Sequence, residues 1–147
     1  MPKIVCAIRG GPASTPTILR SIKLAQETGH KILYLYVVNL DFLDRTSSSR
    51  THTIRKELRQ MGEFILLAAQ VQAQGQGVEA EGVIREGNVR DEIIQLCQEI
   101  QAEYVVLGNP KGEPEDNAFT RERLNRFAQS IELSSGAKAI LAADTEP

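Results

Sequence analysis

Short apolar runs alternate with segments of helical periodicity along the whole chain. The run KILYLYVVNL, residues 31–40, is almost continuous in β-branched and aromatic residues, which is typical of a strand covered on both faces. Comparable runs lie at 3–8, 78–84 and 104–107, and KAILAA at 138–143 supplies a fifth. Strands that alternate with helices imply right-handed crossovers, so the sequence predicts an α/β fold: a three-layer, doubly wound, five-stranded parallel sheet.

Turn and cap signals indicate where the first and third helices begin and end. GGPASTP places Ser14 or Thr15 as the N-cap of the first helix, and Gly29 is expected to close that helix in a left-handed conformation. Asn88 is the expected N-cap of a helix over 89–100, since Asp91 follows three residues later as in a capping box.

The second and fourth helices are predicted from periodicity alone. The second is expected over 54–74 with Met61 on its inner stripe, and the fourth over 120–133 with Gly136 closing it. The polar, Ser-rich segment 41–53 between the second strand and the second helix is predicted to be a loop.

Length and charge limit the classes of function. A chain of 147 residues predicts one domain spanning 1–147, which is long enough to bury a sizeable core. The net charge of −2 provides no field that attracts nucleic acid or an anionic membrane, so neither partner is expected. The longest apolar runs are far too short to span a bilayer and the N-terminus carries no signal-peptide pattern, so a cytoplasmic protein is predicted.

Two cysteines, Cys6 and Cys97, lie inside apolar segments without the spacing of a metal site or a disulfide framework. We expect buried free thiols and no metal centre. Neither a G-x-S-x-G elbow nor a G-x-G-x-x-G fingerprint occurs, and IRGGPAST lacks the serine and aspartate of a pyrophosphate loop. The sequence therefore predicts a protein without enzymatic activity.

A ligand site is expected at one edge of the predicted sheet. In open α/β sheets, ligands bind beyond the carboxyl ends of the strands, where the strand order reverses. Three segments lie at that edge: AIRGG, VVNLD and LGNPKG, after the first, second and fourth strands. The last of these has the glycines and the lysine of a loop that cradles phosphate between a strand and a helix.

Four stretches together resemble the universal stress protein family over essentially the whole chain. KIVCAIRGGPAS is similar to its strand and VDGSPAS-like turn, and ILYLYVV to its second strand. VIREGNVRDEIIQLCQEIQAEYVVLGNPKG resembles its REGDPAEEILEAAEEEGADLIVMGSRG stretch, and FAQSIELSSGAKAILAA its closing helix and strand. The resemblance implies a Rossmann-like fold of the adenine nucleotide alpha hydrolase type.

Many members of this family bind ATP or AMP, and the resemblance implies where a nucleotide would lie. The adenine would lie near Ala7 and Val38, with the turn after the first strand beside the ribose. The phosphates would rest on a G-x2-G-x9-G-[ST] loop. The candidate residues are Ala7, Arg9, Gly10, Val38, Gly108, Asn109, Lys111, Gly112, Arg126 and Phe127.

The chain departs from the family pattern at three points. Arg9 replaces the acidic residue of the first turn, and an arginine accepts no hydrogen bond. Gly108 and Gly112 are separated by three residues instead of two. Arg126 and Phe127 stand where the final Gly-Ser of the phosphate motif would be, so their side chains would block the close approach that glycine permits.

Two functions remain open from these residues. The departures favour a non-enzymatic binding or regulatory module of the stress response, with a degenerate nucleotide site and a protein partner. The alternative is an adenine-nucleotide binder in which arginines hold the phosphates, because charge-assisted contacts can replace backbone N–H groups. Arg126 and Phe127 also fit the ordinary solvated and apolar faces of an amphipathic helix.

The closing strand, KAILAA, is an expected edge strand. Its unpaired apolar edge invites pairing with a second chain. The resemblance implies a homodimer in which the last strands of two subunits pair across a two-fold axis.

Overall fold

The computed structural model describes residues 1–40, 48–108 and 118–142. Five parallel strands form one sheet in the order β3-β2-β1-β4-β5. The strands are β1 (Ile4–Ala7), β2 (Ile32–Val38), β3 (Ala80–Glu86), β4 (Tyr104–Leu107) and β5 (Lys138–Leu141). The helices are α1 (Thr15–Thr28), α2 (Ser48–Gly75), α3 (Val89–Ile100) and α4 (Ala118–Ser135), and one 3₁₀ turn (Pro12–Ser14) precedes α1. The predicted α/β fold is confirmed.

Two apolar cores cover the two faces of the sheet. On one face, Ile4 and Cys6 of β1 pack with Ile22 of α1 and Leu66 of α2. On the other face, Val5 packs with residues of α3 and α4, among them Ile93, Leu124 and Ile131. Successive β1 residues point to opposite faces, and both faces are covered by helices, which explains why the strands read as continuous apolar runs.

Helix ends follow the predicted cap chemistry in most places. Gly29 and Gly136 close α1 and α4 with φ of 78° and 82°, a left-handed conformation that glycine adopts without a Cβ clash. The Asn88 side chain accepts a hydrogen bond from the Asp91 N–H at 3.0 Å. Ser14 is the N-cap of α1 by position, but its hydroxyl caps no helix N–H and is used in the preceding turn instead.

The second helix differs from its prediction in length and in orientation. It begins at Ser48, so residues 48–53 are helical where a loop was expected, and 41–47 lie outside the described residues. The apolar periodicity begins only at Ile54, because Arg50, His52 and Thr53 before it are exposed and need no apolar face. Met61 is exposed, whereas Leu66, Ala69 and Ala73 face the sheet. The stripe is rotated from the predicted one.

Both cysteines are free and buried, as predicted. Cys6 lies on the α1 side of β1, beside a polar pair in which the Ser21 and Tyr34 hydroxyls are 2.9 Å apart. Burial raises the pKa of the Cys6 and Cys97 thiols to about 12. The thiols are therefore protonated at physiological pH.

Candidate functional site

The strand order reverses between β1 and β4, so the switch point lies where Ala7 and Leu107 end their strands. Ala7 is half-buried there and Val38 is fully buried at the end of β2. The Val38 carbonyl accepts a hydrogen bond from the Gly87 N–H at 2.9 Å. A ligand near Val38 would therefore meet a carbonyl that already has one partner.

The turn after β1 is organised by Ser14. Its buried hydroxyl accepts hydrogen bonds from the Arg9 N–H at 3.2 Å and the Gly10 N–H at 3.0 Å. Gly10 and Gly11 have φ of 86° and 78°, which bends the chain back so that these N–H groups converge on one oxygen. Two backbone donors at the candidate site are thus engaged within the chain.

Helix α2 packs against the turn after β1. A Cβ at Gly10 would lie 2.5 Å from Cδ1 of Ile65, so Ile65 occupies the space next to this glycine. Farther along the edge, the Arg55 guanidinium contacts both carboxylate oxygens of Glu86, with Nε–Oε distances of 3.0 and 3.1 Å. This contact fastens α2 to the end of β3.

Gly108, the first glycine of the predicted phosphate loop, packs against α1. A Cβ at this position would lie 2.4 Å from Oγ1 of Thr17, which is a buried side chain. Glycine is therefore needed here for the close approach of the β4 end to the first turn of α1, whether or not a ligand is bound.

Arg9 lies at the same edge and is exposed as a whole, but the partial desolvation of its guanidinium lowers the pKa of that group from its usual range. It remains cationic at neutral pH. The structure thus places Ala7, Arg9, Gly10, Val38 and Gly108 at one edge, as the topology predicts. Asn109, Lys111 and Gly112 lie outside the described residues.

Arg126 and Phe127 are in the interior of α4, eight residues beyond its first residue, Ala118. The Arg126 side chain points to solvent and lies 3.5 Å from the Glu122 carboxylate one turn earlier. Phe127 packs against the apolar core shared by α3 and α4. Both side chains follow the amphipathic pattern of the helix. This agrees with the interpretation that Arg126 lies on its solvated face and Phe127 on its apolar face.

Sequence reasoning gave no part in this edge to three residues that build it: Ser14, which was expected only as an N-cap, Thr17 and Ile65. The serine had a signal, because a hydroxyl residue after two glycines is typical of a turn in which the side chain binds the backbone. Thr17 and Ile65 had none, since their contacts with Gly108 and Gly10 depend on how the helices pack onto the sheet.

One cleft among the described residues lies at the opposite edge of the sheet. It has a volume of about 350 Å³ and lies between the start of β2 and the end of α2, lined in part by Lys31, Gln74 and Val78. Lys31 is held there by Glu79 and Glu81, at 3.4 and 3.8 Å. The amino ends of the strands carry none of the glycine loops, so this cleft is not the site that the topology indicates.

Metal ligands do not cluster in the part of the chain that the structure describes: no group of three or more His, Cys, Asp or Glu side chains could hold an ion. Among the same residues, no helix is long and apolar enough to cross a membrane.

The parallel sheet with order β3-β2-β1-β4-β5, and glycine turns at its switch point, define an α/β protein of the adenine nucleotide alpha hydrolase-like fold class. The model of the universal stress protein family matches residues 1–132, and the chain belongs to that family. The predicted resemblance is confirmed. A search of curated proteins found no significant match.

Solved structures of the family share this fold. A universal stress protein from Lactobacillus plantarum has a TM-score of 0.75 at 14% identity, over 95% of this chain and 96% of that one. One from Archaeoglobus fulgidus in complex with dAMP has a TM-score of 0.59 at 17% identity, over 96% and 97%. One from Arabidopsis thaliana with AMP bound has a TM-score of 0.59 at 17% identity, over 95% and 90%.

Proposed function

We propose that this universal stress protein is a non-enzymatic regulatory module of the stress response, acting in the cytoplasm, in which the family's nucleotide cleft no longer holds a triphosphate. The observation that carries the proposal is the position of Arg126 and Phe127 inside α4. A phosphate binds at a helix N-terminus because the first N–H groups there have no partner within the helix. Eight residues into a helix, the N–H groups are engaged.

The turn after β1 supports the same proposal. Its Arg9 and Gly10 N–H groups donate to Ser14, and Ile65 fills the space beside Gly10. A nucleotide in this turn would have to compete with an internal hydroxyl that is already aligned at 3.0–3.2 Å. Replacing these bonds gives little net stabilisation, because one hydrogen bond is exchanged for another.

The absence of enzymatic activity is part of the proposal, and the state of the two buried thiols supports it for cysteine chemistry. Cysteine attacks as a thiolate, and the buried Cys6 and Cys97 have pKa values raised to about 12. Neither thiol is therefore suited to act as a nucleophile at neutral pH. An assay for ATP hydrolysis by the purified protein is expected to give the rate of the buffer alone.

The test of the main proposal is a calorimetric titration of nucleotide-stripped protein with ATP and AMP, with and without Mg²⁺. We expect no binding heat at millimolar ligand. Micromolar binding of ATP would contradict the proposal.

A second candidate, adenine mononucleotide binding, is favoured by the AMP and dAMP complexes of two proteins with this fold. It needs the adenine and ribose part of the edge, near Ala7 and Val38, and Arg9 as a phosphate contact. In the same titration it predicts binding of AMP that weakens in Arg9→Ala. Lys23→Ala, an exposed cation farther along α1, is the control and is expected to leave AMP binding unchanged.

We also propose a homodimer through β5, which is an edge strand of the sheet. The Ala139 N–H donates to the Glu132 carboxylate at 2.8 Å and not to β4, so this N–H faces the open edge. A second β5 would displace Glu132 to pair there.

Ala139→Pro tests this contact, because it removes an N–H that β4 does not use. Light scattering of the wild type is expected to give at least twice 16.2 kDa. Ala139→Pro should lower the mass, whereas Ala139→Ser keeps the N–H and should not. A mass that the proline leaves unchanged would exclude the β5 contact.

A further inference from the structure

The outer face of α2 exposes four large apolar side chains. Met61, Phe64, Leu67 and Val71 are exposed by 53%, 73%, 58% and 58%. They are four of the seven large apolar residues that are exposed in the described part of the chain. We propose that this face, the α2 outer face, is a contact with a second copy of the chain, in which two α2 helices pack antiparallel about a two-fold axis.

These residues form one continuous surface. At 3.6 residues per turn, positions 61, 64, 67, 68 and 71 lie within about 120° of one another around the helix. The buried residues Leu66, Ala69 and Ala73 lie on the opposite side and face the sheet. The inner face already accounts for the packing of α2 on its own domain, so the outer apolar residues serve no purpose in that core.

The exposed apolar area supplies about half of what each partner buries in a standard interface. An aromatic side chain has on the order of 200 Å² of surface, so Phe64 exposes about 150 Å² and the four residues together roughly 450 Å². This equals a large apolar patch for a monomer. The exposed polar residues around it, Glu57, Gln60, Gln72 and Gln74, bring the surface toward the ~800 Å² per partner of a standard interface.

The pattern of sizes on the α2 outer face is self-complementary. In an antiparallel pair centred at position 66, Phe64 of one copy lies opposite Ala68 of the other, and Met61 lies opposite Val71. Phe64, the largest side chain of the face, thus meets Ala68, the smallest. The contact occurs twice, because the two-fold axis relates the two copies. Alternation of large and small residues is the arrangement that packs two helices closely.

The helix dipoles favour the antiparallel direction. Glu57 lies on the same face, two turns before Phe64, and is exposed. In a parallel pair it would face Glu57 of the second copy, and like charges repel. In the antiparallel pair it faces Gly75, at the C-terminal end of the other α2, where the helix dipole does not favour a carboxylate. The two helix dipoles themselves oppose each other favourably in this direction. Of the other charged residues between 58 and 75, Glu63 borders this face beside Leu67 and is exposed.

This contact is independent of the proposed β5 dimer, because α2 packs over β2 and β3 at the other end of the sheet. A chain with both contacts would form assemblies larger than a dimer, and a chain with only the α2 contact would form a dimer. The Phe64 and Ala139 variants therefore report on separate surfaces.

The first test is light scattering of Phe64→Glu at the concentration where the wild type is associated. We expect the mass to fall, to that of the β5 dimer if both contacts form and to 16.2 kDa if the α2 contact forms alone, since a carboxylate is placed in the apolar centre. The control is Leu133→Glu, which changes an exposed leucine of α4 away from this face and should leave the mass unchanged. A wild type that stays at 16.2 kDa, or a Phe64→Glu variant that keeps the wild-type mass, would overturn the proposal.

The second test examines the register. Phe64→Ala should raise the dissociation constant by at least ~10-fold, as for a central aromatic anchor. Ala68→Phe should weaken association as well, because two phenyl rings would then compete for one space. The double variant Phe64→Ala/Ala68→Phe exchanges the partners and should restore association. If Ala68→Phe alone strengthens association, the contact is a nonspecific apolar one and the antiparallel register is wrong.

Discussion

Replacing Gly108 by alanine tests whether this glycine serves packing or a ligand. The added Cβ would lie 2.4 Å from the Thr17 Oγ1, about 1 Å inside ordinary van der Waals contact. The φ of Gly108 is not in the left-handed region, so alanine adopts the backbone without strain and the effect is purely steric. Thr17 is buried and β-branched, so it cannot simply rotate away. Overpacking of this kind costs about 1–3 kcal/mol of the free energy of unfolding.

The assay is urea denaturation of four proteins: wild type, Gly108→Ala, Thr17→Ala and the double variant. Thr17→Ala removes the atom that the new Cβ would meet, so the double variant should be more stable than the sum of the two single effects predicts. We expect a coupling energy of about 1–3 kcal/mol. A neutral Gly108→Ala, or additive single effects, would refute the packing explanation and leave a ligand role as the reason for the glycine.

Three further changes have expected outcomes. Ser14→Ala leaves the Arg9 and Gly10 N–H groups without their acceptor and should lower the free energy of unfolding by about 1–2 kcal/mol. The loss is smaller than for two fully buried N–H groups, because water reaches this turn. A loss below about 0.3 kcal/mol in urea denaturation would contradict the turn geometry. Gly62→Ala puts a Cβ 2.4 Å from the Tyr36 ring and should lower the free energy of unfolding by about 1–3 kcal/mol. The control, Gly75→Ala in the same helix, meets open space and should be neutral or stabilising. Equal effects of the two changes would show that the Tyr36 contact is irrelevant. Burial raises the pKa of both thiols in the folded state to about 12, above the unfolded value of about 8.5. Between these values the folded state keeps its thiol protons and the unfolded state loses them, so the free energy of unfolding should fall as pH rises from about 8.5 toward 12. Cys97→Ala should reduce that slope.

The order of elements was predictable from local patterns. The continuous apolar run of β2 and the caps at Gly29 and Asn88 depend on residues that are neighbours in sequence. Parallel strands joined by helices then leave few arrangements, and the carboxyl ends of the strands come to one edge. This is why Ala7, Val38 and Gly108 were correctly assigned to a common edge without any knowledge of packing.

The orientation of α2 was not predictable in the same way. Two apolar stripes lie on this helix, one with Leu66 and Ala69, the other with Phe64 and Val71. Periodicity shows that both exist but does not say which one faces the sheet. That choice depends on Gly62, whose missing Cβ lets the helix approach the Tyr36 ring, and on Gly82 of β3, which lies against Leu66. These contacts join residues that are more than fifteen positions apart.

The amino-acid sequence by itself determined the strands, the helices, the parallel sheet and the family, because each of these follows from short-range periodicity, turn chemistry and a small set of allowed connections. Only the tertiary structure decided what the edge residues do. It assigned the N–H groups of the β1 turn to Ser14, and the missing side chain of Gly108 to the approach of Thr17. A glycine or a hydroxyl has the same identity whether it meets a phosphate or a neighbouring helix, and three-dimensional packing alone distinguishes the two.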